Sequence, residues 1–221
     1  MTELRLIAGA AVADAPEPAA APAVRLPPGR HGLPADLVRT HQRLRLLEAA
    51  ANGLAEQGYG RITAARVTEL AGVSSRTFYQ HFEDLWTCLL AAYENEAGHL
   101  CAEIESACAA ADGVDRRGRA RAGISAALGF LAAEPAVARL LSAEPPPQIA
   151  ALAAARRDLI ERLGAMLRDV LAAGGPTPLP GLERRLIGAA LALVSARAAS
   201  GDPRRLRELE PELSEILLAS L

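Results

Sequence analysis

Alanine occupies 49 of the 221 positions of this chain, and no other feature restricts the fold as much. Alanine loses no side-chain entropy in a helix, whereas a sheet surface is built best from β-branched and aromatic side chains. Aromatic residues make up only 3% of the chain. Leucine and arginine, which fill many of the remaining positions, are also good helix formers. An all-α protein is expected.

The same composition removes several chemistries. Lysine is absent, so all 24 positive charges are arginines. There is no P-loop lysine, no Schiff base and no Ser-Lys pair. HExxH, GxSxG and paired-carboxylate patterns are missing, and Gly58-Tyr59-Gly60 is followed by Thr63 where GxGxxG needs a third glycine. No enzyme is expected. Arginines and acids interrupt every apolar run before the roughly 18–20 residues of a membrane span. Residues 1–28 lack the basic start and apolar centre of a signal peptide. A cytoplasmic protein without membrane contact is expected. Cys88, Cys101 and Cys108 are an odd number with no CxxC, which argues against a disulfide framework or a zinc site. Cys101 and Cys108 share a helix face while His99 points elsewhere, so inert buried thiols are favoured over metal or thiol sensing. No metal and no cofactor is expected.

Charge is unevenly placed. The net charge is −2. Residues 25–81 nevertheless carry eight arginines (Arg25, Arg30, Arg39, Arg43, Arg45, Arg61, Arg66, Arg76) against four acids, a net of +4. Residues 82–221 carry fifteen arginines against nineteen acids, a net of −4. A basic module on an acidic body is the pattern of a nucleic-acid binder whose charge is local.

The period of the apolar residues divides the chain into an arm over 1–34, a small helical unit over 35–82 and a larger one over 83–221. The Ala/Pro-rich arm offers little to bury and is expected to be disordered, either a plain tail or a segment that follows DNA. Asp36 is placed to cap a helix through Leu37, Leu44, Leu47, Ala51 and Leu54 that Gly58 ends. Thr63 caps a short helix to Ala71, Gly72-Val73-Ser74 makes a turn, and a second short helix runs over about 75–80. Asp84 caps a long helix through Leu85, Leu89, Ala92, Glu96, Leu100 and Ile104. Further helices are expected near 115–133, 135–143, 147–173, 181–200 and 204–220, with Pro and Gly marking the breaks.

Residues 63–82 are the informative stretch. Two short helices about a glycine turn have helix-turn-helix geometry, in which the second helix enters the major groove. That second helix presents Ser75, Arg76, Thr77, Tyr79, Gln80 and His81, with Phe78 and Phe82 as its inner anchors. Gly58-Tyr59, Thr63, Ala71-Gly72-Val73-Ser74 and Thr77-Phe78-Tyr79-Gln80-His81-Phe82 together resemble the signature of TetR-type transcriptional regulators. The resemblance implies an N-terminal DNA-binding domain, a body that binds a small molecule, and a homodimer formed by the last two helices. It further implies phosphate contacts from Thr63, Ser74, Tyr79 and His81, with Ser75, Arg76, Thr77 and Gln80 on the same DNA-facing helix. Arg76 is the candidate for guanine, since a guanidinium bonds O6 and N7 together. One departure stands out: the family's lysine after the His-Phe pair is Leu85 here, followed by Trp86. Arg43, Arg45 or the arm would have to supply the missing phosphate contact.

In the body, the resemblance implies an effector cavity, for which Trp86, Leu89, Tyr93, Phe130, Leu163 and Met166 are the candidate lining. Each of these fits an ordinary core equally well. Aliphatic lining points to an apolar or amphipathic effector. Leu186, Ala190 and Leu193 on one helix, with Leu213, Ile216 and Leu217 on the next, form stripes suited to an isologous dimer or to completing the monomer core. The resulting expectation is a ligand-responsive regulator, a repressor that binds a palindromic operator as a homodimer. The alternative is a helical small-molecule-binding or scaffold dimer with a degenerate DNA-binding module.

Overall fold

The structure, a computed structural model, describes residues 34–111, 113–172, 181–199 and 203–218. The expectations for the 1–33 arm, the 173–180 break, the end of the last helix at 219–221 and the Gly201-Asp202 turn lie outside those residues. The described residues are helical without strands. The helices are α1 (Ala35–Gln57), α2 (Ala64–Ala71), α3 (Ser75–His81), α4 (Leu85–Ala110), α5 (Arg116–Ala133), α6 (Pro135–Ser142), α7 (Ala150–Ala172), α8 (Leu182–Ala199) and α9 (Glu210–Leu218), with a 3-10 segment Pro203–Leu209 before α9.

Four helix starts follow from side-chain caps. Thr63 Oγ1 accepts from Arg66 N at 3.2 Å, and Ser74 Oγ from Thr77 N at 3.1 Å. Asp84 Oδ1 accepts from Thr87 N at 2.7 Å and from Thr87 Oγ1 at 2.8 Å. Asp115 does the same for Gly118 N at 2.8 Å. Each satisfies an amide that has no partner within its helix. Gly72 ends α2 at φ 60°, ψ 39°, a left-handed conformation that favours glycine and lets α3 turn away within three residues.

Two sequence expectations are corrected. Asp36 does not cap α1, because the helix starts one residue earlier, after Pro34, whose carbonyl accepts from Leu37 N and Val38 N. Asp36 sits in the first turn, where its charge still meets the positive end of the helix. The final helix is not continuous over 204–220. Pro211 has no N–H, and its ring would strike the carbonyl of Arg207 inside an α-helix, so the α-helix begins at Glu210 with Pro211 in its first turn.

One continuous core runs from Leu46 in α1 to Leu217 in α9. Phe78 is fully buried and Phe82 nearly so, which anchors α3 in the core, where it packs on α2. Cys88 of α4 lies against the Leu46 carbonyl at 3.8 Å. Tyr93 is buried with its hydroxyl donating to the Leu141 carbonyl at 3.4 Å. α4 is the spine: it packs on α1, α5, α6 and α7, while α6 lies between α1 and α8. α5 and α6 bend by 115° at the Glu134-Pro135 break, and no single helix among the described residues is long and apolar enough to cross a membrane.

The Asp84 cap gives a direct test. The hydrogen bonds from Thr87 hold this carboxyl below its usual 3.8, so it stabilises the fold above that value and stops doing so as pH falls through the lowered one. Asp84→Ala is expected to cost about 1 kcal/mol at pH 7, with the gap closing on strong acidification, as read by urea unfolding.

Candidate nucleic-acid interface and cavity

Because Phe78 and Phe82 face inward, the opposite side of α3 is open. Ser74, Ser75, Arg76, Tyr79 and Gln80 are exposed, Tyr79 at 62%, while Thr77 and His81 are half-buried. The structure brings the eight candidate DNA-contacting residues together on α3 and at the two caps. Thr63 accepts an amide hydrogen at the start of α2, so its own hydroxyl proton is left to donate. Ser74 and Thr77 hydroxyls bond each other at 2.9 Å, which holds Thr77 close to the helix start.

The basic charge divides by geometry. Arg66 is held by Glu56 at 2.8 Å and Glu69 at 3.0 Å, and so serves α1–α2 packing. Arg45 donates to the carbonyls of Ala71 and Gly72 at the end of α2, the negative end of its dipole. That leaves Arg45 committed to the fold. Arg43 instead lies over the Phe82 ring, its Cζ 4.7 Å from the centroid, and stays exposed. Arg39 is one turn earlier on the same face. Burial lowers the His81 pKa below its usual 6.5, and the nearby Arg39 and Arg43 lower it further. Arg39 and Arg43 make a cationic pair beside the neutral His81 at the end of α3. Leu85, at the position where the resemblance leads one to expect lysine, packs partly into the core, and Trp86 is 37% exposed beside it.

The cavity lies far from this surface. It holds about 120 Å³ and is walled by α4, α5, α7, α8 and α9, with Leu100, Ile104, Ile124, Leu128, Leu191 and Val194 among its lining. Its sole polar side chain is the Cys108 thiol, which burial keeps protonated. Burial pushes the other two thiols up as well, Cys88 to about 12.

Leu163 and Met166 line the cavity as expected from the sequence. Trp86, Leu89, Tyr93 and Phe130 do not. Trp86 is on the surface, Leu89 and Tyr93 are buried where α4 meets α1 and α6, and Phe130 packs half-buried outside the lining. The reason is length: the fourteen residues from Trp86 to Leu100 carry α4 about 21 Å before it reaches the cavity. Three of the candidate dimer residues, Ala190, Leu213 and Leu217, also line the cavity and so belong to the protomer's own core. Leu186, Leu193 and Ile216 are half-buried. The open face of α8 carries Arg185, Ala189, Ala192 and Ala196 instead.

This all-α architecture places a helix-turn-helix at one end of the molecule and an apolar cavity in the body. Residues 46–84 match the family of bacterial regulatory proteins described as the tetR family. The fold is similar to that of the fatty acid degradation regulator FadR of Bacillus halodurans, at TM-score 0.68 and 17% identity over 81% of this chain and 96% of that one. It is likewise similar to FadR of Bacillus subtilis, solved in complex with stearoyl-CoA, at TM-score 0.67 and 17% identity over 80% and 98% of the two chains. A TetR-like regulator from Rhodococcus sp. RHA1 aligns at TM-score 0.66 and 19% identity over 86% of this chain and 100% of that one. No curated protein matches by sequence. The chain has a TetR-like fold with a tetR-family DNA-binding domain, and the resemblance read from the sequence stands.

The division of the arginines makes a prediction. Arg39→Ala and Arg43→Ala are each expected to reduce the slope of log affinity for DNA against log salt by about one, whereas Arg66→Ala leaves that slope unchanged. Titrations at four salt concentrations read this directly.

Proposed function

We propose that this chain is a ligand-responsive transcriptional repressor that binds a palindromic operator as a homodimer in the cytoplasm and has no enzymatic activity. The observation that carries this reading is the separation of two surfaces on one rigid core. An exposed polar face on α3 sits beside the Arg39 and Arg43 guanidinium groups, and a cavity that is apolar but for the Cys108 thiol lies between helices at the other end of α4. α3 reads the major groove, with Arg76 bidentate on guanine and Ser75, Thr77 and Gln80 near the base edges. Thr63, Ser74, Tyr79 and His81 hold phosphates, with Arg39 and Arg43 in place of the missing lysine. Two protomers meet through the open faces of α8 and α9, where Ala189, Ala192 and Ala196 allow close approach.

The effector is an amphipathic molecule with an acyl-like chain. Support comes from the lining, which is aliphatic on every side, and from the stearoyl-CoA complex of a protein of similar fold. At about 120 Å³ the cavity is smaller than pockets for drug-sized ligands, which run to roughly 300–1,000 Å³. A long chain therefore enters only if α5, α7 and α8 spread. An effector that binds the spread state alone favours it by its whole affinity difference, and that is the source of regulation.

Selection of bound duplexes from a random pool at two salt concentrations tests the reading. Recovery of a palindrome with half-sites about 34 Å apart is expected, with affinity falling steeply with salt. A folded dimer that enriches nothing would sink the proposal in favour of a degenerate DNA-binding module. Arg76→Ala is expected to relax base preference by about 1–3 kcal/mol at one position, whereas Tyr79→Ala weakens all duplexes alike. His81 adds a pH signature. Its lowered pKa leaves it neutral in the free protein at pH 7, and a phosphate beside it raises that pKa, so binding takes up a proton. Affinity is expected to rise as pH falls through the raised pKa of the complex and to level off below the lowered pKa of the free protein, and His81→Gln to flatten that rise.

A further inference from the structure

Arg139 is the single charged side chain of α6, a helix otherwise made of apolar residues and Ser142. Its guanidinium does not reach solvent freely. Nη1 donates to the Ala55 carbonyl at 2.5 Å, and Nε donates to the Ala198 carbonyl at 3.3 Å. Both acceptors lie in the last turn of their helices, α1 and α8, where carbonyls have no helical amide to bond and carry the negative end of the dipole. The end of α6 itself, at Ser142 and Ala143, borders the same groove, together with Gln57, Tyr59 and Ser195. Three helix C-termini therefore meet at one place, and one arginine ties two of them together.

The two tied helices have different duties. α1 underlies the helix-turn-helix: Leu46 joins the core that holds Phe78, and Arg45 caps α2. α8 is a wall of the cavity through Ile187, Leu191 and Val194, and Val194 is one turn before Ala198. A shift of α8 away from the cavity thus displaces an acceptor of Arg139, and the other acceptor is the end of α1. We infer that Arg139 is the positioning residue that couples cavity occupancy to the placement of the DNA-binding helices. This rests on the regulatory reading above. It differs from a general packing role in that both bonds must be present for movement to pass from α8 to α1.

The test uses the full chain and needs no identified effector. Ala190→Leu adds volume at the cavity wall and stands in for a ligand. Hydrogen exchange of the amides at 54–58, the end of α1, is followed with and without that change. In the otherwise native chain Ala190→Leu is expected to alter their exchange by about fivefold or more, and in the Arg139→Met background by less than about twofold. Arg139→Met keeps the aliphatic stem and removes both donors. Should it not fold, Arg139→Lys, which keeps the charge but not the two-pronged geometry, carries the comparison and is expected to show a reduced effect. An equal change in both backgrounds, or none in either, overturns the inference.

A second arm uses a duplex recovered from the random pool. Ala190→Leu is expected to shift its Kd about tenfold, and Arg139→Met to remove most of that shift. If no duplex is recovered while the exchange difference holds, the operator reading fails and the coupling stands. If the duplex shift is the same in both backgrounds, the coupling fails and the operator reading stands.

Discussion

The burial of Phe78 and Phe82 is the contact on which the rest depends. α3 has only seven residues, too few to be stable alone in water, so it exists because its inner face is anchored. Burying a phenylalanine side chain is worth roughly 1.5–3 kcal/mol, and a short helix with two such anchors has little freedom to rotate. Its orientation is then decided: Arg76, Tyr79 and Gln80 must face out because the aromatics face in. The same two rings set the charge distribution, since Phe82 is the platform on which the Arg43 guanidinium rests. A single apolar anchor thus orients both the polar face of α3 and the Arg43 guanidinium.

Where the sequence was legible, a residue had only one structural use. Thr63, Ser74, Asp84 and Asp115 are caps because their short polar side chains reach back to a free amide, and Gly72 takes the left-handed turn that a Cβ disfavours. These signals are local: Thr63 and Asp84 mark the starts of α2 and α4 in the sequence, and Gly72 marks the turn before α3. The illegible parts involve residues that are acceptable in two environments. α8 is LERRLIGAALALVSARAA, apolar on nearly every side, so a stripe drawn through Leu186, Ala190 and Leu193 is no better defined than the one through Ile187, Leu191 and Val194 that the core buries. Alanine tolerates either face, and only packing against α6 and α7 chooses between them. Arg139 was passed over because the pattern around it marks only a buried helix. A lone arginine amid PAVARLLS was the available signal, since a buried cation must find acceptors.

Arginine's exclusive use as the cation has a structural consequence. Arg66 and Arg139 each engage two partners through different nitrogens of one planar guanidinium, while Arg45 and Arg168 tie elements distant in sequence through one nitrogen each. An ammonium would offer a point charge and would hold two acceptors less rigidly. In a body with few aromatics, such forks replace large rings as the means of fixing helix ends relative to one another.

The small cavity and the alanine content are two sides of one design. Helices studded with alanine approach closely, and close approach leaves little empty volume between α5, α7 and α8. The described cavity is accordingly narrow, and its walls meet through aliphatic side chains, so separating them breaks many weak contacts and hardly any specific one. The specific bonds lie at the start of α8, where the Arg168–Glu183 pair at 2.6 Å and the Arg184–Glu161 pair at 2.8 Å hold it to α7, and at its end, where Arg139 reaches the Ala198 carbonyl. Under the proposed coupling α8 is tied at both ends, so expansion becomes rotation about those ends, and the tie nearest the DNA-binding helices is the one that ends on Ala55.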